Sequence, residues 1–219
     1  MLKQLIALNH PEIEILSTDS DEIIPYGRIV EGIDFSDMCA QAISYSDREK
    51  TVYIRDLKTL RDCSSFLKVQ NEIYRKEISL QTGLCYGMNN RMNGMEYHVG
   101  SEVIVAVTNL VLILGRKEEI SHKSWDSSLA KYFYLAKGSA LELFGGTLHL
   151  APCRVSPLPF CSVIILPEGT NTPLDEETRS DDPLLFMNNK WLICHYDSPV
   201  AEKGGFIGIT GKNIAIKTL

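Results

Sequence analysis

From residue 80 onward the chain is a succession of short apolar segments separated by Gly, Asn and Pro. "GLCYGMN", "GMEYHV", "SEVIVAV" and "LVLILG" come first, followed by "AKYFYLAKG", "SALELFG", "TLHLAPCRV" and "SVIILPEG". After the polar loop "EGTNTPLDEETRSDDP" come "KWLICHY", "GGFIGITG" and "NIAIKT". Many short strand-like segments with turn formers between them predict a sandwich or small barrel. The most apolar run, residues 103–114, is broken at Thr108–Asn109, which reads as a turn. It falls well short of the roughly 20 residues a membrane helix needs. The sequence contains no internal repeat and no low-complexity tract.

The first 79 residues have a different texture. "LKQLIALN" predicts a short helix and "EIEIL" a strand. "DFSDMCAQAIS" predicts a helix with an N-cap at Asp34 or Ser36. "KTVYIRD" reads as a strand. "LKTLRDCSSFLKVQNEIYRKEIS" places Leu57, Leu60, Phe66, Val69 and Ile73 near helical spacing, with a weak centre at Ser64–Ser65 that could divide it into two helices. The change near residue 80 is a shift in composition without a linker. The expected organisation is an α/β extension over residues 1–79, packed on a β domain over residues 80–219. A chain of 219 residues accommodates that arrangement.

Charge and cysteine content narrow the function. The net charge is −6, which gives no broad electrostatic reason to expect nucleic acid or an anionic membrane as partner. "LGRKEEISHK" mixes signs and reads as a solvated loop. The six cysteines show no C-x-x-C spacing, and "MLKQLIALNH" is not followed by a small-residue cleavage site. Free, mostly buried thiols in a cytoplasmic protein are therefore expected. There is no Gly-x-Ser-x-Gly elbow, P-loop or dinucleotide fingerprint, and "GITGKN" reads as a β-turn.

The chemistry-bearing residues cluster in "GMEYHVGSE". On a strand, side chains two apart share a face, so Glu96 and His98 point the same way. Glu102 joins them on a continuing strand or across a tight turn at Gly100–Ser101. Two carboxylates and an imidazole are costly to bury unless something neutralises or coordinates them. A divalent cation does so, and this donor set suits Zn, Mn, Fe, Co or Ni. A second segment, "GSALELFGGTLHLAPC", places His149 after a Gly-Gly turn. Alone, His149 reads as a satisfied core histidine; beside the first segment it becomes a candidate ligand.

Together these segments resemble the paired motifs of the cupins, G(x)5-H-x-H-(x)3,4-E-(x)6-G and G(x)5-P-x-G-(x)2-H-(x)3-N. The second matches at Gly138, Gly146 and His149, with Phe144 in the proline position and Cys153 in the asparagine position. The first matches at His98 and Glu102, with Glu96 where the first histidine would stand. Asn90 and Asn109 replace its glycines, and Asn tolerates left-handed backbone next best. Residues 80–115 and 138–153 also resemble an uncharacterised bacterial cupin-like family of about this length. The resemblance implies a mainly β, cupin-type double-stranded β-helix, a small jelly-roll barrel. It also implies a metal held by Glu96, His98, Glu102 and His149.

Other residues are candidates around such a site. Thr147 and Ala151 would share a strand face with His149 and leave space for a small ligand. Glu142 alternates with Ala140 and Phe144 and reads either as a base or as a surface residue. Lys137, Arg154 and Lys190 could bind an anionic group or be solvated charges. Tyr86 and Asn89 could line the mouth, and Arg91 could do the same or simply sit in the loop. His195 reads as a core or interface histidine; His10 and His122 lie in polar loops. The favoured function is a metal-dependent isomerase, epimerase or lyase acting on a sugar, sugar phosphate, or hydroxy or keto acid. Glu142, or a Glu96 that is not a ligand, would be its base. An oxygenase ranks lower, because a second glutamate ligand would crowd the metal. The rival is a non-catalytic module that binds or senses a small molecule. Long strand runs with edges to cover favour a homodimer.

Overall fold

The computed structural model describes residues 1–45, 50–175 and 181–219; residues 176–180 of the polar loop lie outside it. Its first elements are α1 (Leu2–Asn9), β1 (Ile15–Ser17), β2 (Gly27–Ile29), α2 (Ser36–Ala42), β3 (Val52–Ile54), α3 (Lys58–Arg61) and α4 (Ser64–Glu72). Then follow β4 (Leu80–Gly87), β5 (Gly94–Tyr97), β6 (Glu102–Ala106), β7 (Leu110–Arg116), β8 (Trp125–Asp126), β9 (Lys131–Leu135) and β10 (Ala140–Leu143). The remainder is β11 (Thr147–Leu148), β12 (Cys153–Arg154), β13 (Phe160–Pro167), β14 (Leu185–Met187), β15 (Lys190–Cys194), α5 (Pro199–Glu202), β16 (Phe206–Ile207) and β17 (Ile209–Thr210).

The fold is mainly β, with two sheets facing each other in a jelly-roll arrangement. One sheet has the order β2-β10-β6-β13-β4-β3. The other runs β1-β9-β7-β11, with β12 also on β7. A smaller sheet, β14-β15-β16 with β5 on β15, continues the second one. The join is an isolated bridge: Glu96 N donates to His149 O at 2.6 Å, and His149 N donates to Glu96 O at 2.9 Å. Among the described residues, no helix is long and apolar enough to cross a membrane.

Strict alternation sorts side chains between layers. Leu110, Leu112 and Leu114 of β7 and Phe133 and Leu135 of β9 point inward. They meet Ile104, Ala106, Leu141, Leu143, Ile164 and Leu166 from the facing sheet. The intervening residues Val103, Val105, Val163 and Ile165 point outward, where α2 and α4 cover them with Met38, Phe66 and Val69. Val111, Ile113, Tyr132 and Tyr134 form the opposite outer layer, packed with Leu5, Trp125, Ile209 and Ile216. Burial on both faces explains why the strands read as continuous apolar runs. Phe133 is fully buried between the sheets. Phe133→Ala is therefore expected to cost about 3–5 kcal/mol. The change should appear as a lower urea midpoint at unchanged slope, whereas the same truncation of exposed Tyr196 should leave the midpoint in place.

The N-terminal segment is woven in rather than docked on. β1 pairs parallel with β9, β2 antiparallel with β10, and β3 antiparallel with β4. The composition shift at residue 80 is thus not a boundary between sheets. The long helical region divides at Asp62–Cys63, and α4 starts at Ser64. The N-cap of α2 is Phe35 rather than Asp34 or Ser36; the Asp34 carboxylate, one residue earlier, accepts from Ser36 N at 2.9 Å. "NIAIKT" forms no strand, only an isolated bridge between Arg91 and Ala215. All six cysteines are free, and all but Cys39 are buried.

Gly138 and Gly146 adopt left-handed backbone, with φ of 86° and 87°. Asn90 and Asn109 do not, which corrects the expectation that they keep a left-handed turn. They act through side chains instead. Asn109 Oδ1 accepts from Lys137 N at 2.8 Å, and Asn90 Nδ2 donates to Ile216 O at 3.2 Å.

Candidate metal centre

Three elements converge at one end of the space between the sheets. β5 presents Glu96, and His98 follows directly after it. The chain then turns through Gly100, at φ 97°, into β6, whose first residue is Glu102. Glu102 shares the inward face of β6 with Ile104. His149 follows β11 and is locked beside Glu96 by the backbone bridge.

The four side chains are buried. Glu102 Oε2 lies 3.5 Å from His98 Nε2 and 3.6 Å from His149 Nε2. Glu96 Oε1 lies 3.7 Å from His98 Nε2. Glu96, His98 and His149 each offer a ligand atom within 4.8 Å of the others. The far side of each imidazole is committed to the backbone. His98 Nδ1 contacts Asn189 O at 2.7 Å, and His149 Nδ1 contacts Thr147 O at 2.9 Å. A carbonyl only accepts, so each Nδ1 carries the proton. Both Nε2 atoms are buried, and neither has a hydrogen-bond partner among the described residues. This is the arrangement of metal-ligating histidines, whose outer nitrogen is fixed by a carbonyl.

Charge is divided unevenly without a cation. Burial pulls the His149 pKa down, but Glu102 and Glu96 push it up by more, to about 9. Burial dominates at His98 and lowers its pKa in spite of the same carboxylates. Burial would raise Glu96, but Lys190, then His98 and His149, hold it below the usual carboxylate value. Lys190 Nζ sits directly on Glu96 Oε2. The two meet because Leu192 of β15 is opposite Glu96, which puts Lys190 on the diagonal of the same face.

A cavity of about 120 Å³ opens onto this cluster. Glu96, Glu102, His149 and Lys190 form its polar wall, and Ile104, Ile164, Leu150 and Pro152 its apolar one. Tyr53, Cys85 and Asn171 also line it. These three carried no signal in the sequence, since Tyr53 comes from the N-terminal segment and Asn171 from a loop. Asn189 was likewise missed. It adopts φ 54°, and its amide clamps Val99 through Val99 N at 2.8 Å and Val99 O at 3.1 Å while its carbonyl holds His98.

The remaining candidates lie elsewhere. Glu142 pairs with Arg28 at 2.7 Å on the outward face of β10, so of its two readings, base or surface residue, the base is withdrawn. Tyr86 also points outward, into the layer under the helices, and does not line the mouth. Asn89 is a tether rather than a ligand contact: its Nδ2 donates to Arg91 O, Ala151 O and Pro152 O at 2.9–3.2 Å. Arg91 sits exposed in its loop. Lys137 is exposed at the opposite end of β6, where Gly138 N donates to Ala106 O. Arg154 pairs with Leu110 at the far end of β7 and donates to Ser156 O at 3.1 Å. Neither cation reaches the cavity. Ala151 lines it, whereas Thr147 donates to Tyr26 O at 2.7 Å. His195 is buried, contacting Gly211 O through Nε2 and accepting from Asp197 N.

No curated protein matches the sequence. Among solved structures, an oxalate decarboxylase is similar at 9% identity and a TM-score of 0.35, covering 55% of this chain and 26% of that one. This chain thus spans about a quarter of that protein's length. A cupin domain from Bordetella pertussis Tohama I is similar at 13% identity and a TM-score of 0.35, covering 56% and 97%. A vicilin from Solanum melongena is similar at 12% identity and a TM-score of 0.36, covering 57% and 28%. Residues 15–214 match the family described as a domain of unknown function, DUF4867. That match spans nearly the whole chain, and the protein belongs to this family.

Proposed function

We propose that the protein is a metal-dependent enzyme of cupin type. In this reading His98, His149 and Glu102 hold a divalent cation, Zn, Mn, Fe, Co or Ni, and Glu96 stands beside them without being a ligand. The observation that carries it is the pair of buried Nε2 atoms, partnerless among the described residues, that face two carboxylates while both Nδ1 atoms are bound to backbone carbonyls. The substrate class is a small oxygen-rich metabolite, and the reaction an isomerisation, epimerisation or elimination. When bound, the cation supplies Lewis-acid stabilisation of a carbonyl or enediolate oxygen.

The chain's own residues supply the rest. Glu102, facing both imidazoles, is the carboxylate best placed to complete the ligand set. Glu96 divides its two oxygens, Oε1 toward His98 and Oε2 toward Lys190. With Glu142 turned away, the Glu96–Lys190 pair is the proton-transfer candidate that lines the cavity. Ile104, Ile164, Leu150 and Pro152 give the cavity an apolar wall beside the reacting groups. Metal analysis of the purified protein, followed by turnover assays on sugars and hydroxy acids, tests the reading. Absence of bound metal under chelator-free purification would overturn it.

A pH dependence follows. With His149 protonated up to about 9, metal uptake near pH 7 must displace its proton. Apparent affinity should therefore rise about tenfold per pH unit toward that value and level off above it. Calorimetry in buffers of differing ionisation enthalpy should count about one proton released near neutrality. Affinity constant between pH 6.5 and 8.5 would show that this imidazole gives up no proton to the ion.

A further inference from the structure

The cavity has polar lining that the metal ligands do not provide, Tyr53 and Asn171. Tyr53 reaches it from edge strand β3, and Asn171 from the loop after β13. Asn171 is fixed in place: its backbone is left-handed at φ 64°, and its N–H donates to Asn188 O at 3.0 Å. Its Nδ2 donates to the Tyr53 hydroxyl at 3.4 Å, while its Oδ1 is buried and has no partner among the described residues. A buried amide oxygen without a donor is costly, and a ligand can remove that cost. Exchanging the amide's O and N would leave a partnerless donor instead. A ligand hydroxyl can pair with either, because it both donates and accepts.

Charge and size narrow the ligand further. Among the described lining residues, Lys190 is the only Lys or Arg, and Glu96 already engages it. Glu96, Glu102 and Lys190 together leave one negative charge, which a dication would turn into one positive. A single carboxylate neutralises that charge; a phosphate monoester overshoots it with no further cation to receive it. The cavity's 120 Å³ exceeds the roughly 10–15 Å³ one water needs by about an order of magnitude, which suits a compact ligand.

We infer that Tyr53 and Asn171 recognise a hydroxyl group on a short, singly charged hydroxy acid whose carboxylate lies at the Lys190 and metal end. The inference rests on the metal-dependent reading and narrows it, removing phosphorylated sugars from the substrate class. Both residues act here as specificity determinants.

The test compares glycerate, propanoate and 3-phosphoglycerate by calorimetry on protein loaded with Mn²⁺, with metal content measured on the same samples. Glycerate should bind at least tenfold more tightly than propanoate, and 3-phosphoglycerate no more tightly than propanoate. Tyr53→Phe and Asn171→Leu should each weaken glycerate by about fivefold or more and leave propanoate unchanged. Equal binding of glycerate and propanoate, no binding of any of the three, or tightest binding of 3-phosphoglycerate would overturn the inference while leaving the metal reading intact. Failure to retain Mn²⁺ or any other divalent ion would remove the metal reading, and this inference with it.

Discussion

His149→Ala is expected to lower divalent-metal affinity by at least about a thousandfold, beyond the 10–100-fold typical of outer-shell changes. The imidazole is anchored on three sides: Nδ1 is bound to Thr147 O, the backbone is bridged to Glu96, and Nε2 faces Glu102. Truncation removes the donor without giving any neighbour the reach to replace it. Glu102→Gln, a near-isosteric change that keeps the packing of β6, should lose metal to a similar degree. Glu102 is the carboxylate nearest both imidazoles, and an amide is a poor ligand. Lys137→Ala and Arg154→Ala should retain wild-type metal content, since both cations lie outside the cavity. Titration against a chromophoric chelator, with elemental analysis after dialysis, gives the affinities. Unchanged metal in both His149→Ala and Glu102→Gln would sink the assignment. Asn189→Ala separates positioning from ligation: losing one of the carbonyl's supports should cost at most the outer-shell amount.

The legibility of the sequence followed the range of the interactions concerned. Gly138, Gly146 and His149 fall within a dozen residues, so the local requirement for left-handed turns leaves its trace in the spacing. His98 and Glu102 are four apart, and the turn at Gly100 is visible between them. Glu142 shows where that legibility stops. Its neighbours Leu141 and Leu143 are apolar, and so are Ala140 and Phe144, so alternation cannot say which face is inward. The facing is set by register: Leu143 lies opposite Glu102, and Glu142 opposite Val103. A strand's facing inverts with a one-residue slip, and a strand buried on both sides carries no pattern that reports it. Tyr86 and Cys85 repeat the case on β4, where the silent cysteine lines the cavity and the tyrosine does not. Lys190 meets Glu96 from 94 residues away, Tyr53 is placed by its pairing with Cys85 32 residues away, and Asn171 arrives on a loop. Single-sequence spacing holds no record of such contacts. The N-terminal helices were readable from their own periodicity, but the insertion of β1, β2 and β3 into the sheets was not, because each is only three residues long.

Lys190→Met is expected to destabilise the metal-free protein by about 3–5 kcal/mol, the usual consequence of stripping a buried charge of its partner. The side chains of Lys190 and Glu96 are only 14% and 11% exposed, so water does little to replace the lost ammonium. Glu96 and Glu102 would then share the site with His149 as their remaining cation. For a chain of this size that loss should lower Tm by roughly 2–4 °C per kcal/mol. Glu96→Gln introduced into the same background should recover most of it, because the uncompensated carboxylate goes with it and the two residues are directly coupled. Divalent metal should also restore the single variant. At about a thousandfold excess over Kd, binding contributes about 4 kcal/mol by mass action. The rise in Tm on adding metal should be larger in Lys190→Met than in the parent if the ion takes over the charge that Lys190 supplied. Thermal melts in chelator and in saturating Mn²⁺ on the parent, the two single variants and the double variant decide the matter. An unchanged Tm for Lys190→Met in chelator would mean that the Glu96–Lys190 contact does not hold the cluster together. An equal metal-induced rise in parent and variant would mean that the ion and the ammonium do not neutralise the same carboxylate.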